Sequence, residues 1–307
     1  MISTYASALN AAQDAAGGQN YPPCALYVVA TPIGNLADIT LRALHVLKIA
    51  DVVACEDTRH TQSMLRAYGI DKPTSQLLAV HQHNEAEAAH AVIDRLRQGL
   101  RVAYVSDAGT PAISDPGARL VAAVRGAGLR ALPLPGASSV TTTLSVAGIT
   151  DLGAEQGSFV FAGFLPPKST ERIAAVVGLA SETRAVVLLE APHRIEALAA
   201  ALAALGERTV TVGRELTKQF EDIANVAAQD FPAWLKADAN RCRGEFVLVL
   251  HPVRAAVEVG PEHRILKLLL EELPLKTAVK LTADITGASR NTLYDTALAW
   301  KKENTEE

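Results

Sequence analysis

The sequence lacks the features that would place it in several large classes of protein. Its apolar stretches are interrupted by Asp, Arg or Gly before they reach the roughly 18 residues that a membrane-spanning helix needs. Its three cysteines, Cys24, Cys55 and Cys242, are far apart and form no C-x-x-C pair, which argues against a disulfide framework and a thiolate zinc site. The first residues have neither a basic start nor an apolar core, so no secretion signal is expected. We therefore expect a soluble, cytoplasmic protein.

An excess of basic charge and the common nucleotide-binding motifs are also missing. The net charge is -4, so a globally basic surface is excluded and any binding of nucleic acid would need a local patch or a shaped site. No G-x-G-x-x-G follows a predicted strand and no G-x-x-x-x-G-K-[ST] occurs, which argues against ordinary dinucleotide and Walker-type sites. What remains is typical of a folded chain, with 49% hydrophobic and 20% charged residues and a length, 307 residues, that suits two domains.

The order of the apolar segments predicts the fold. Residues 1–24, rich in Ala, Gln, Asn and Gly, are predicted to be a flexible leader. From 25 to 150, strand-like runs alternate with segments of helical period, which is the pattern of an α/β domain with a mostly parallel sheet. From 151 to 255 a second α/β domain has shorter spacing and more β-branched strands, which predicts a mixed sheet. The predicted strands cover residues 26–30, 52–56, 77–81, 102–106 and 130–134 in the first domain, and 158–165, 185–190, 209–216 and 245–250 in the second.

A third, helical piece is predicted for residues 262–303. A small residue at Ala283, a glycine at Gly287 and an apolar Leu293 fit the spacing of a helix-turn-helix. Residues 262–302 contain seven Lys or Arg and five Asp or Glu, a net of +2. The piece is therefore either an RNA-docking module or a small packing domain.

Three loops that follow predicted strands are unusually rich in special residues. They cover residues 31–40, 106–117 and 135–143, and they combine Gly, Pro, Asp and Ser, which permit tight turns and close approach of the backbone to a ligand. Ligands of parallel sheets bind at the carboxyl ends of the strands, where these loops lie. The structural alternative is an ordinary set of connections that start helices, with Asp107 and Asp115 as caps.

Motifs in these loops and beyond them resemble one family. SDAGTPAISDPG, LPLPGASSVTTT, FAGFLPPK, LLEAPHR and GRELTKQFEDI follow one another in the order of the tetrapyrrole methylase superfamily, and most closely its ribosomal RNA small subunit methyltransferase I branch. The resemblance covers the chain from about residue 25 to its end. It implies two α/β domains with S-adenosylmethionine in the cleft between them, and a homodimer. It also implies methylation of a cytidine ribose 2′-hydroxyl in the decoding region of 16S ribosomal RNA, with the small-subunit RNA as partner and no metal.

The resemblance also assigns candidate residues for the methyl donor, and the chemistry of the polar motifs supplies candidates for catalysis. The candidates for binding the donor are Pro32, Asp107, Ala108, Gly109, Thr110, Ile113, Ser138, Ser139 and Glu190. A ribose hydroxyl is a poor nucleophile while it is protonated, so a base or a cation near it should help. The candidates for this role are Glu190, His193 and Lys218, with Glu56 and Asp57 of the EDTR motif as further proton acceptors. Each could instead be part of a structural ion pair or a helix cap.

Basic residues outside the loops are the candidates for binding RNA. They are Arg59, Arg194, Lys276, Lys280, Arg290, Lys301 and Lys302. His81 and His83 lie one residue apart, but no third ligand at metal-site spacing accompanies them, so no metal site is expected.

Two other functions remain open at this level. One is methylation of a tetrapyrrole carbon, although the SDAGTPAISDPG loop and the helical tail argue against it. The other is a nucleic-acid-binding regulator whose α/β body senses a small ligand, which would need a distinctly basic, dimeric helix-turn-helix.

Overall fold

The computed structural model describes residues 5–81, 84–114, 117–150, 157–253 and 261–303. The chain forms two compact units, Met1–Val253 and Arg254–Glu307.

The first part of the larger unit contains a parallel five-stranded sheet with the strand order β3-β2-β4-β1-β5. The central strands are apolar and buried along their whole length, because helices cover both faces of the sheet. The predicted strands of this domain all occur within two residues of their expected ends. They are β1 (Ala25–Val29), β2 (Val52–Cys55), β3 (Leu77–Ala79), β4 (Val102–Val105) and β5 (Arg130–Leu134).

Alternate residues of these strands point into two separate cores. Tyr27 of β1 packs into a core covered by the first three helices, and its neighbour Leu26 packs into a second core under the next two. The helices of this domain are α1 (Ala6–Ala16), α2 (Leu41–Ile49), α3 (Thr58–Ala67), α4 (Glu85–Arg97), α5 (Gly117–Gly126) and α6 (Ser139–Val146).

The expectation of a flexible leader is wrong for residues 6–16, which form helix α1. Ala12 and Ala16 are buried, and Ala12 belongs to the same core as α2. Alanine favours helix and its small side chain lets two helices approach closely. Because the segment is rich in small and polar residues, its composition did not indicate a helix that packs on the first α/β domain.

The second part of the larger unit contains a mixed sheet, as predicted, with the order β6-β7-β10-β8-β9. Strands β6 and β7 are parallel, and the other neighbouring pairs are antiparallel. Strand β9 was not predicted, because its exposed positions interrupt the apolar pattern of an edge strand. The elements are β6 (Phe159–Gly163), α7 (Ser169–Leu179), β7 (Ala185–Glu190), α8 (Ile195–Leu202), β8 (Thr209–Arg214), β9 (Asp222–Ala227), α9 (Phe231–Lys236) and β10 (Phe246–Leu250).

The smaller unit consists of α10 (Pro261–Glu272), α11 (Leu275–Thr286) and α12 (Arg290–Glu303) around a small core of their own. Helix α11 ends at Gly287, whose φ of +77° is the left-handed conformation that favours glycine. The predicted helix-turn-helix shape is therefore confirmed. Over the described residues, no helix is long and apolar enough to cross a membrane.

Candidate functional site

The three predicted loops meet at the carboxyl end of the parallel sheet. The first and second loops are joined by a two-way backbone bridge, in which the N–H of Thr31 donates to the Gly109 carbonyl at 2.9 Å and the N–H of Gly109 donates back at 3.0 Å. The hydroxyl of Thr110 donates to the Ala137 carbonyl at 3.0 Å and so joins the second loop to the third. Gly109 has a φ of +78°, which explains the glycine at this junction.

These loops form one wall of a cavity of about 420 Å³, here called the deep cavity, and the strand ends on one side of the second sheet form the other wall. Seven of the nine residues predicted to bind the donor line it, and the exceptions are Pro32 and Asp107. The lining from the first domain includes Ile33, Glu56, Ser106, Ala108, Gly109, Thr110, Ile113, Ser138, Ser139 and Val140; the lining from the second includes Phe164, Leu189, Glu190, Leu216, Glu245 and Phe246.

Among the described residues, the charged side chains that line the deep cavity are all carboxylates, namely Glu56, Glu190 and Glu245. Glu190 ends strand β7 and is only 3% exposed. Its Oε1 accepts the N–H of Ala191 at 2.9 Å and lies 3.1 Å from Nε of Arg194. Its Oε2 is buried and has no hydrogen-bond partner among the described residues. A buried carboxylate oxygen without a partner suits a cationic or hydrogen-bond-donating ligand.

Arg194 lies behind Glu190 and is engaged inside the protein. Besides its ion pair with Glu190, its guanidinium donates to the carbonyl of Leu165. The prediction that Arg194 contacts RNA stays untested, and these contacts instead favour a role in holding Glu190.

A second cavity of about 440 Å³, here called the adjoining cavity, lies beside the deep cavity. Pro32 and Asp107 line this one. One face of helix α3, the first loop and the turn after β8 supply the rest of its lining, which includes Gly34, Leu36, His60, Ser63, Met64, Ala67 and Lys218. The two cavities have Ile33, Ala108 and Glu245 in common.

The turn after β8 is strained and holds Lys218 in place. Glu215 and Thr217 have φ values of +50° and +64°, which cost energy in residues other than glycine and are typical of functional turns. Nζ of Lys218 donates to Oε1 of Glu215 at 2.8 Å and to Oε2 of Glu245 at 3.0 Å. Partial burial lowers the pKa of Lys218, but these carboxylates outweigh the burial and raise the pKa above its ordinary value. Lys218 is therefore a fixed cation.

The same turn touches the first loop of the other domain. The N–H of Asn35 donates to Oγ1 of Thr217 at 3.1 Å. A Cβ added at Gly34 would lie 2.5 Å from Cγ of Lys218, so glycine is needed for this close approach. The Lys218 turn and the first loop therefore form one joint between the two α/β domains.

Comparison with known proteins identifies the family of this two-domain body. Residues 25–232 match the family described as Tetrapyrrole (Corrin/Porphyrin) Methylases. The chain belongs to the tetrapyrrole methylase family. Residues 262–301 match a second family, described as the RsmI C-terminal HTH domain. The predicted family and the predicted fold class are confirmed, and the chain is an enzyme of an S-adenosylmethionine-dependent methyltransferase family.

Relatives and solved structures agree with this membership. The chain is 47% identical over 280 residues to the ribosomal RNA small subunit methyltransferase I of Neisseria meningitidis serogroup B, covering 90% of this chain and 94% of the relative. It is 45% identical over 277 residues to the protein of that name from Escherichia coli O157:H7, covering 89% and 94%. A cobalt precorrin-4 methyltransferase matches with a TM-score of 0.53 and 20% identity over 74% of this chain and 94% of its own. At that identity the likeness shows the methylase fold alone.

Two other predicted catalytic residues line neither cavity of this methylase. His193 is exposed and lines neither cavity. Asp57 is the N-cap of α3, where its carboxylate accepts the N–H groups of Arg59 and His60. Hydrogen bonds from the side chain and the backbone of Arg59 lower the pKa of Asp57, so it is a poor proton acceptor. Arg59 is exposed at the start of α3, as RNA binding requires, and pairs with Asp57 at 3.2 Å.

The candidates in the smaller unit lie on its surface where they are described. Lys276, Lys280 and Arg290 are exposed, and Arg290 pairs with Asp284 at 2.7 Å. The side chains of Lys301 and Lys302 lie outside the described residues.

No cluster of potential metal ligands occurs among the described residues. His83 and Asp115 fall outside them, so the predictions for those two residues have no structural counterpart.

Sequence reasoning missed Glu245, which lines both cavities. It precedes β10, a strand that pairs with both β7 and β8 although it follows them by a long stretch of chain. No local motif marks Glu245, and only the strand order places it beside Lys218.

Proposed function

We propose that this methylase transfers a methyl group from S-adenosylmethionine to the ribose 2′-hydroxyl of a cytidine in the decoding region of 16S ribosomal RNA. The observation that carries this proposal is the match of residues 262–301 to the RsmI C-terminal HTH domain, on the same chain as the methylase match. It is supported by the relatives named for methylation of the small-subunit RNA, whose similarity covers about nine-tenths of this chain.

The deep cavity fits the methyl donor. Its volume of about 420 Å³ is within the range of roughly 300–1,000 Å³ usual for small-ligand sites. The donor carries a sulfonium and an ammonium group, and a cavity with three carboxylates and the unpartnered Oε2 of Glu190 offers charges of the opposite sign. Glu190 would hold a donor cation, and the loops that carry Gly109 and Ser138 would contact the rest. Glu190 is then better suited to bind the donor than to act as a base.

The reaction depends on alignment more than on any one catalytic group. The bound donor supplies an already activated methyl group, and in-line positioning of an oxygen can lower the barrier by up to about 7–11 kcal/mol. An ammonium has three N–H donors, and Lys218 uses two of them on Glu215 and Glu245. The third can donate to the ribose oxygen and stabilise the charge that develops there. Because Glu215 and Glu245 hold Lys218 in place and leave it one N–H donor, this role suits it better than binding a phosphate.

We propose that Arg59 and the smaller unit contact the RNA backbone. Arg59 is 91% exposed, and Lys276, Lys280 and Arg290 are exposed on α11 and α12. Lys301 and Lys302 extend this set by sequence. Since the whole chain carries a net charge of -4, these few contacts suit a substrate whose shape is already organised. We therefore propose the assembled small subunit as the substrate, in the cytoplasm, and a homodimer as the active form.

The test is methyl transfer from labelled S-adenosylmethionine to small ribosomal subunits from cells that lack this protein. Nucleoside analysis should find the label in 2′-O-methylcytidine, and naked 16S RNA should be a poorer acceptor than the subunit. A Glu190→Gln variant is the negative control, and it should lose affinity for the donor. Donor binding without label in RNA would favour a tetrapyrrole or another small acceptor, and no donor binding would refute the proposal. Sedimentation analysis of the same preparation tests the homodimer.

A further inference from the structure

The adjoining cavity lies where an acceptor for the deep cavity would have to bind. The two cavities meet at a wall that they share, made of Ile33, Ala108 and Glu245, the residues that line both. A group in one cavity can therefore react with a group in the other only at this wall. Glu245 is the ionisable residue of the wall, and its side chain is 74% exposed to the open space.

The lining of the adjoining cavity suits one unstacked nucleotide. Its volume of about 440 Å³ is close to that of the deep cavity. Its lining combines the apolar side chains of Pro32 and Met64 with a polar set that includes Ser63 and Asp107. Proteins that act on one nucleotide of an RNA take it out of the stack, place the base between apolar surfaces and read its edge with polar groups. Oδ1 of Asp107 already accepts the N–H of Asp57 at 3.2 Å, which fixes the carboxylate at the cavity.

We propose that the adjoining cavity binds the acceptor nucleotide and that Glu245 is the general base for its ribose hydroxyl. This proposal rests on the function proposed above. Oε2 of Glu245 lies 3.0 Å from Nζ of Lys218, so a base and a cation stand side by side at the wall. The carboxylate of Glu245 accepts the 2′-hydroxyl proton while the ribose oxygen forms its bond to the methyl carbon. The bond from that carbon to the sulfonium sulfur breaks, and its electron pair stays on sulfur. The products are a methyl ether, a neutral thioether and a protonated Glu245.

The variant that tests the base is Glu245→Gln, and Glu215→Gln is its matched control. Each removes one carboxylate from Lys218, but Glu215 lines neither cavity. General bases contribute roughly a hundred-fold or more. Glu245→Gln should therefore lower kcat on small subunits by about a hundred-fold, a far larger change than any in the dissociation constant for S-adenosylmethionine. Glu215→Gln should lose far less. Equal losses in the two variants would refute the base, because Glu245 would then act only through Lys218.

The variant that tests the acceptor site is Ser63→Phe, which places a bulky ring in the adjoining cavity from the exposed side of α3. It should raise KM for small subunits by about ten-fold, equivalent to 1.4 kcal/mol of binding, without changing affinity for the donor. Arg125→Phe, at an exposed position of α5 outside both cavities, is the control for adding a phenylalanine. Wild-type KM in Ser63→Phe would overturn the acceptor site. Failure of the wild-type enzyme to methylate RNA would instead overturn the proposed function.

Discussion

Removing Arg194 should destabilise the larger unit strongly, because it leaves a buried carboxylate without its cation. The Glu190 side chain is completely buried, and Arg194 is its partner at 3.1 Å. Breaking a buried ion pair by removing one member typically costs about 3–5 kcal/mol. The N–H of Ala191 still bonds to Oε1, so we expect Arg194→Met to cost an amount near the lower end, about 3 kcal/mol. That loss corresponds to a fall of about 1 M or more in the midpoint of urea unfolding.

The measurement is urea unfolding followed by the fluorescence of Trp234, in a Trp300→Phe background that removes the other tryptophan. Arg119→Met is the matched control, because Arg119 pairs with Glu85 at 2.6 Å but is 83% exposed. An exposed pair contributes about 0–1 kcal/mol. Adding Glu190→Gln to Arg194→Met should restore part of the loss, since no buried charge is then left unpaired. Equal costs for the two Met variants, or simply additive costs in the double variant, would show that burial does not decide the strength of this pair.

Three further predictions address the joint, the acid response and the smaller unit. Gly34→Ala places a Cβ 2.5 Å from Cγ of Lys218, so we expect a lower kcat in the methyl-transfer assay with little change in donor affinity. An unchanged kcat would mean that Lys218 and the first loop can move apart without loss of function. Hydrogen bonds from a neighbouring arginine lower the pKa of Glu182 to about 2 from an ordinary 4.5, so the unfolded chain takes up the proton first as the pH falls through this window. Stability should therefore fall over that window in the wild type and less steeply in Glu182→Gln, as thermal unfolding at each pH would show; parallel curves would contradict the shift. Lys276→Glu with Lys280→Glu should weaken binding to small subunits and flatten its dependence on salt, whereas an unchanged salt slope would rule out phosphate contacts from these residues.

The alternation of strands and helices was enough to predict most of the fold. The buried strands of the first domain carry uninterrupted apolar runs, so their positions were predicted to within two residues. Edge strand β9 and helix α1 were missed, because exposed positions break the apolar pattern of the strand and small residues blur the period of the helix. Hydrophobic periodicity reflects burial, so its signal is weakest for a helix or strand that is only partly buried.

The site was predicted less completely than the fold. Local motifs marked the loops of the deep cavity, since tight turns and close backbone approach demand particular residues such as Gly109. The motifs did not separate the two cavities, so Asp107 was grouped with residues of the deep cavity although it lines the other. Glu245 carries no signature at all, because its importance comes from the pairing of β10 with two earlier strands.

Helix α1 and the residue before it help to support the first loop, although they precede the part of the chain that matches the methylase family. The ring of Tyr5, just before α1, lies 5.6 Å from that of Tyr68, and the Tyr68 hydroxyl donates to the carbonyl of Leu36 in the first loop at 2.5 Å. Leu36 in turn lines the adjoining cavity. A truncation at residue 25, where the family match begins, would therefore expose a core face and loosen a cavity wall. The folded methylase body of this chain therefore includes residues that precede the family match at 25–232.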